Sequence, residues 1–262
     1  MTAMKRNIFY RPMTKDNRDL LLAGQLNTDG TTHVDEIQTE PQAQHLGCFA
    51  GGMVAIGAKI FENDAELEIG KQLVEGCLWG YEVMPLGMMP EIIHTVPCAR
   101  GVKCKWDEEK WHRAVNDSYE GPESAEDKIK AHGLGPGVAK VDDRRYILRY
   151  VSFQAALSKS LTRSSPEAIE SVFILYRITG DETLRERAWN MFNAITTHTT
   201  TDIAHAALDD CTVAKPTQAD RMESFWMAET LKYFYLIFAE PTQVSLDDYV
   251  LNTEAHPLRR PA

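Results

Sequence analysis

Carboxylates close to aromatic residues and to a helix start are the side chains whose types and spacing suggest chemistry. Glu167 and Glu170 stand at positions i and i+3 directly after Pro166, so they share one face at a helix N-terminus. Grouped carboxylates can act as general acid and base, or bind a cation through oxygen. Further acids lie near aromatic, methionine or histidine residues, namely Glu91, Glu223, Glu229 and Glu254. Such acids commonly only offset a helix dipole or face solvent, so spacing alone assigns no function.

The charge of the chain narrows the classes of partner. Its 262 residues carry 28 Lys and Arg against 38 Asp and Glu, which gives a net charge of −10. Nucleic-acid binding rests on clustered Lys and Arg, and anionic membranes repel an acidic surface, so we expect neither partner. Neutral ligands, cationic ligands and metal ions fit this charge. The length suits one large domain or two small ones.

The elements that must position the carboxylates are mainly helices. Capping signals and apolar spacing predict helices over 51–61, 64–81, 107–115, 183–197 and 220–238, with another starting at Ser165-Pro166-Glu167. Thr179-Gly180-Asp181 indicates a stop and a restart. Short links between these segments predict antiparallel helical hairpins, whereas residues 82–145 indicate long loops with short helices.

The cysteines and the apolar runs decide little on their own. Five cysteines are too few for a disulfide scaffold and contain no Cys-x2-Cys pair of the zinc-binding type, and an odd number leaves at least one thiol unpaired. No apolar run approaches the roughly 20 residues that cross a bilayer, and the first fifteen residues lack the apolar segment of a signal peptide.

Three motifs identify a family by resemblance. Residues 220–236 read DRMESFWMAETLKYFYL, residues 166–171 and 176–181 read PEAIES and YRITGD, and residues 252–257 read NTEAHP. Together they resemble signatures of glycoside hydrolase family 47, the class I α-1,2-mannosidases. His45-Leu46, Cys48-Phe49 and Pro90-Glu91 fall in the family's order, so the resemblance covers nearly the whole chain.

The resemblance implies an all-α fold, the C-terminal portion of an (α/α)7 barrel, with long loops and short β-hairpins. It implies calcium as the cofactor, bound by the hydroxyl and carbonyl of Thr253, and high-mannose N-glycan as the substrate. By position, the sugar-contacting or water-orienting residues are Glu91, Arg149, Glu170, Phe225, Glu229 and Glu254. A disulfide between Cys48 and Cys77, also implied by the family, places relatives in the secretory lumen of the endoplasmic reticulum or Golgi, or outside the cell.

The implied reaction is inverting hydrolysis of terminal α-1,2-linked mannose. Such hydrolysis uses one carboxylic acid at the leaving oxygen and one carboxylate that activates water. Glu167 matches the family's proposed general base. The general acid and an aspartate precede Met1 in the family's order, so we expect residues 1–262 to be a partial catalytic domain.

An insertion interrupts one family motif. The family reads Arg-Pro-Glu, whereas the sixteen residues of 150–165 separate Arg149 from Pro166-Glu167 here. Codons for Arg149, Tyr150 and Val151 permit a GTATGT splice donor, which suggests a translated intron, with a tolerated loop as the alternative. Ser165 cannot replace a planar cation, and half a barrel leaves apolar helix faces uncovered. We therefore expect reduced calcium affinity and no catalysis.

Two other interpretations remain open at this point. A non-catalytic, lectin-like module would keep the calcium and sugar contacts without the missing acids. A helical interaction protein without a glycan role would have no reason to keep Thr253, Glu254, Glu229 and Phe225 together, so the sequence favours it least.

Overall fold

A computed structural model describes residues 1–28, 30–31, 38–148 and 167–261, and for Glu167 it describes only the backbone. Within these residues the chain is mainly helical. The α-helices are α1 (Thr2–Asn7), α2 (Phe49–Ile60), α3 (Asp64–Glu82), α4 (Glu108–Ser118), α5 (Ala125–His132), α6 (Glu167–Thr179), α7 (Glu182–Thr199) and α8 (Leu231–Phe238). A 3-10 turn, His45–Cys48, leads into α2, and a π-helical turn, Trp226–Thr230, leads into α8.

Side-chain caps explain where several helices begin. Asn63 accepts a hydrogen bond from the backbone N–H of Glu66 at the start of α3, and Asp181 accepts from Thr183 at the start of α7. Gly180, with φ of +68°, separates α6 from α7, which confirms the predicted stop and restart. The helices predicted over 51–61, 64–81, 107–115 and 183–197 are confirmed to within three residues at each end. The short helix α5 is not among the predictions.

The predicted helix over 220–238 is wrong at its start. Backbone hydrogen bonds hold the preceding segment against a neighbouring strand-like segment: Ala219 N donates to Ala207 O, and Ala207 N donates to Arg221 O. These backbone groups are therefore unavailable to a helix. The helical backbone starts at Ser224, runs through the π-helical turn and continues as α8.

Helix α6 is the centre of the helical packing, since it contacts α2, α3, α7 and α8. Small residues allow α2 to approach it closely. A Cβ atom added at Gly52 would lie 2.9 Å from the Ser171 hydroxyl oxygen. That hydroxyl accepts a hydrogen bond from Gly52 N and donates one to Cys48 O, at 2.9 and 2.8 Å. Gly51 similarly packs against Val74 of α3.

In the described part of the chain, three small antiparallel sheets lie between the helices. Their strands are β1 (Phe9–Tyr10) with β2 (Leu22–Ala23), β3 (Gln42–Gln44) with β4 (Ile92–Thr95) and β5 (Val138–Asp143), and β6 (Tyr249–Leu251) with β7 (Pro257–Arg259). The middle sheet places Ile93 opposite Ala43 and Val141, and all three side chains are buried. The region 82–145 thus contains two strands besides the expected short helices.

Two disulfides lie within the described chain. Cys48 and Cys77 are bonded, with Cα atoms 5.6 Å apart, which confirms the pair implied by the family resemblance. This bond joins the start of α2 to α3. Cys98 is bonded to Cys104, a pair that the sequence did not predict. Cys211 is the unpaired thiol and is buried.

One face of α2 remains open to solvent. Met53, Ile56 and Ile60 lie at helical spacing with 37%, 36% and 68% of their surfaces exposed, and Phe61, directly after the helix, is 78% exposed. The opposite face packs on α3 and α6. In the described part of the chain, no helix combines the length and the apolar character needed to cross a membrane.

Candidate active site

Glu229 lies on the π-helical turn Trp226–Thr230, and this turn is fixed by the burial of its first residue. The Trp226 ring is completely buried and lies 4.9 Å from the His205 ring. One-turn π segments often occur at functional sites, because the wider turn redirects the side chains that follow. Here Glu229 is only 4% exposed, and Phe225, at the entry to the turn, is 6% exposed. This segment therefore contains a buried carboxylate and a buried aromatic ring four residues apart.

Glu170 projects from α6 into the same region. Its Oε1 accepts a hydrogen bond of 2.7 Å from the Tyr233 hydroxyl on α8. Burial raises the pKa of Glu170 to about 7, although the bond from Tyr233 acts in the opposite direction. Its other oxygen, Oε2, is buried without a hydrogen-bond partner in the described part of the molecule. A buried oxygen in this state is suited to a water molecule or an ion.

Electrostatic coupling joins Glu229 to two other carboxylates. The pKa of Glu229 is raised to about 7, chiefly by burial and also by the negative charges of Glu254 and Glu170, against a smaller effect of Lys232. Its Oε2 is also buried with no hydrogen-bond partner among the residues described. Acids from three parts of the chain are therefore close enough for two of them to act electrostatically on the third. Like charges held together in this way favour a cation or a shared proton.

The third acid comes from the loop between β6 and β7. The Asn252 side chain organises this loop, because its Oδ1 accepts from the backbone N–H groups of Glu254 and His256 at 3.0 and 2.8 Å. Ala255 is fully buried and adopts a left-handed backbone conformation with φ of +56°. Thr253 and Glu254, between these anchors, are exposed. The hairpin thus presents a hydroxyl and a carboxylate at its tip.

Another buried carboxylate, Glu91, lies directly before β4. It is 1% exposed, and its backbone carbonyl accepts a hydrogen bond of 2.9 Å from His45 N. The charge of Glu91 contributes to raising the pKa of Arg145, after the larger effect of Asp143. His45 bonds in turn to the Tyr81 hydroxyl through its Nε2. The middle sheet and the 3-10 turn therefore position this carboxylate.

A family model for glycosyl hydrolase family 47 matches residues 1–260. The chain belongs to this family. The mannosyl-oligosaccharide 1,2-alpha-mannosidase MNS3 of Arabidopsis thaliana is 32% identical over 235 residues, which are 83% of this chain and 32% of that protein. The endoplasmic reticulum mannosyl-oligosaccharide 1,2-alpha-mannosidase of Homo sapiens is 30% identical over 82% of this chain and 24% of its own. The chain thus spans about a third or less of these two relatives.

A solved structure agrees with the family assignment. The alpha-1,2-mannosidase from Trichoderma reesei superposes with a TM-score of 0.73 and 26% identity, over 98% of this chain and 45% of that one. This match confirms the expected fold class, a portion of the helical barrel of family 47. The Arabidopsis thaliana and Homo sapiens relatives are named as mannosyl-oligosaccharide 1,2-alpha-mannosidases, which are glycosidases.

Two of the expected site residues fall partly or wholly outside the described structure. Arg149 and the insertion 150–165 lie outside the described residues, and so does the side chain of Glu167. The described residues on either side of this gap nevertheless lie next to the candidate site. The Leu148 carbonyl accepts a hydrogen bond of 3.4 Å from the Thr230 hydroxyl, next to Glu229. Helix α6 starts at Glu167, one turn before Glu170.

Sequence reasoning missed several residues that support the site. The family motifs contain Tyr233, Lys232 and Asn252, but the sequence predicts no role for these three residues. Tyr233 stands four residues after Glu229, at the helical spacing that places both on one face, so this signal was available. Its contact with Glu170, 63 residues away, depends on how α6 and α8 pack.

Proposed function

We propose that this chain forms the calcium- and mannose-binding part of an α-1,2-mannosidase that removes terminal α-1,2-linked mannose from high-mannose N-glycans. One observation carries the proposal: Glu170, Glu229 and Glu254 are coupled electrostatically beside the hairpin tip that bears Thr253. An acidic site of this kind suits a cation that neutralises the carboxylates and a polar, uncharged sugar.

The residues present fit calcium bound partly through water. Calcium takes six to eight oxygen ligands and accepts waters among them. We assign direct contact to the hydroxyl and carbonyl of Thr253, and water-mediated contact to Glu91, Glu170, Glu229 and Glu254. The buried Oε2 atoms of Glu170 and Glu229 lack hydrogen-bond partners in the described structure, as expected for groups that face ordered water. Among the described residues, no three His, Cys, Asp or Glu side chains are arranged to hold a metal directly. When bound, calcium would supply positive charge at which mannose hydroxyls are oriented.

The chain's own residues would divide the remaining work. Phe225 would pack against the apolar face of the terminal mannose ring, as aromatic residues commonly do in sugar sites. Glu167 would accept a proton from the attacking water.

We further propose that residues 1–262 act as a partial catalytic domain that binds without hydrolysing. The insertion 150–165 separates Arg149 from Pro166-Glu167 in the sequence, while the other residues that we assign to calcium and sugar binding are present. A non-catalytic, lectin-like module is the second candidate function, and the same retention favours it. The Cys48–Cys77 disulfide supports an oxidising compartment, the secretory lumen or the cell exterior.

Calorimetric titration tests the binding proposal. We expect the wild-type chain to bind Ca2+ and then methyl α-mannoside in a calcium-dependent manner. Glu229→Gln should weaken Ca2+ binding at least tenfold, whereas Glu240→Gln, at an exposed site just beyond α8, should leave it unchanged. Absence of Ca2+ binding by the wild-type chain, or equal binding by both variants, would refute the assignment.

A hydrolysis assay tests the proposal that the chain binds without hydrolysing. Release of mannose from α-1,2-mannobiose should be absent for the wild-type chain. Deleting residues 150–165 rejoins Arg149 to Pro166, and we expect tighter mannoside binding from this variant. Hydrolysis by the wild-type chain would show that the insertion is a tolerated loop and that the binding-only proposal is wrong.

A further inference from the structure

Lys232 connects the two segments that carry the site's acids. It lies in the first turn of α8, three residues after Glu229. Its Nζ donates a hydrogen bond of 2.7 Å to the carbonyl oxygen of Ala255, in the loop between β6 and β7. The lysine side chain is partly buried, and Ala255 is completely buried. A charged donor in such a place forms a stronger bond than a neutral one.

The loop that Lys232 contacts needs external support. Strands β6 and β7 have three residues each, and a two-stranded hairpin of this size is marginally stable by itself. The left-handed conformation of Ala255 is unfavourable for a residue with a Cβ atom, so the surroundings must hold it. Asn252 supplies support from within the loop, and Lys232 supplies it from the helix.

The lysine also stands close enough to the acids to influence them. Its positive charge acts on Glu229 in the direction opposite to the charges of Glu170 and Glu254. Its hydrogen bond, however, goes to the Ala255 carbonyl. Lys232 is therefore placed to define where the loop lies relative to the helix, rather than to neutralise one carboxylate by a direct ion pair.

We propose that Lys232 is a positioning residue, which holds the 252–256 loop, with Thr253 and Glu254, in register with the helical segment that bears Glu229. The consequence for calcium rests on the proposed function above. The tether itself does not, because it is a contact within the polypeptide.

Hydrogen exchange measured by mass spectrometry, in the presence of EDTA, tests the tether. Lys232→Met keeps most of the apolar stem and removes the donor and the charge. We expect peptides that cover residues 249–259 to exchange at least tenfold faster in this variant, with α6 unchanged. Lys232→Arg retains a charged donor and should restore protection to within about threefold. Lys215→Met, which removes the same charge at an exposed loop position, should behave as the wild type.

Terbium luminescence, with Tb3+ as a probe for a calcium site, tests the consequence. We expect Lys232→Met to weaken Tb3+ binding about tenfold, and Lys232→Arg to recover most of it. If circular dichroism shows that Lys232→Met does not fold, Lys232→Gln, with a shorter neutral donor, takes its place in both measurements.

The outcomes distinguish the two proposals. Unchanged exchange of residues 249–259 in a folded Lys232→Met or Lys232→Gln variant would overturn the positioning role. If the wild-type chain fails to bind Tb3+ while the variant hairpin loosens, the calcium proposal fails and the positioning role stands. Loosening in Lys215→Met equal to that in Lys232→Met would also overturn the proposal, because general loss of charge would then explain it.

Discussion

Glu170 and Glu229 make stability depend on pH in a direction opposite to that of most acids. The pKa of each is raised from 4.5 to about 7, chiefly by burial. Between these two pH values the folded protein keeps protons that the unfolded chain has released, so the free energy of unfolding falls as pH rises. At about 1.4 kcal/mol for each unit of pKa shift, this corresponds to at most about 3 kcal/mol for Glu170 and to less for Glu229, whose shift partly depends on the charge of Glu170. The stability is complete below pH 4.5 and is lost by pH 7.

Replacing either acid by its amide removes this dependence. Glu170→Gln and Glu229→Gln resemble the protonated acids, and the amide oxygen at position 170 can still accept the bond from Tyr233. We expect each variant to be about 1–3 kcal/mol more stable than the wild type at pH 8, and nearly equal to it at pH 5. Urea unfolding at both pH values, with EDTA present, measures the difference.

The comparison isolates the two acids from other titrating groups. Burial lowers the pKa values of His132 and His205, so these residues add a pH dependence of their own in the same range. That contribution is common to wild type and variants and cancels in the difference. If the difference in stability between wild type and variant is the same at pH 5 and pH 8, the two carboxylates ionise normally and the reasoning is refuted.

Two further predictions concern the scaffold. Replacing Cys48 and Cys77 by serine removes a cross-link between residues 29 positions apart. Urea unfolding should then show that the free energy of unfolding falls by about 3–4 kcal/mol. A decrease below about 1 kcal/mol would mean that the bond does not constrain the unfolded chain. Gly76→Ala should destabilise the protein by about 3 kcal/mol or more, because the new Cβ atom would lie 1.9 Å from Leu21 O. Gly57→Ala, with no atom within 4 Å, should instead stabilise α2 slightly, and equal thermal melting of both glycine variants would contradict the packing argument.

Local signals predict most of the helices and little of the sheet structure. Caps such as Asn63 and Asp181 act on the next few residues, so their effect is readable along the chain. Strands of two to six residues carry too short an alternation to be recognised, and their partners are distant. Ala43, for example, pairs with Ile93, and Ile93 pairs with Val141.

The candidate site, like the fold, is only partly predictable from the sequence. Spacing alone marks Glu170 only as one acid of a helix start, and its grouping with Glu229 and Glu254 emerges from the family motifs. The supporting contacts depend on tertiary packing: Tyr233 reaches Glu170 across two helices, and Lys232 reaches the hairpin 23 residues away. Such contacts have no periodic signature in the sequence. The late start of the helical segment at Ser224 likewise reflects backbone pairing with Ala207 rather than local propensity.

The open apolar face of α2 has a consequence for how the chain behaves in solution. Copies of a molecule with a net charge of −10 repel each other at low ionic strength. At about 0.15 M salt the screening length falls to about 8 Å, so this repulsion weakens, while attraction between exposed Met53, Ile56, Ile60 and Phe61 does not. Added salt should therefore promote self-association, and the charge that makes the site acidic also acts as the chain's main colloidal protection.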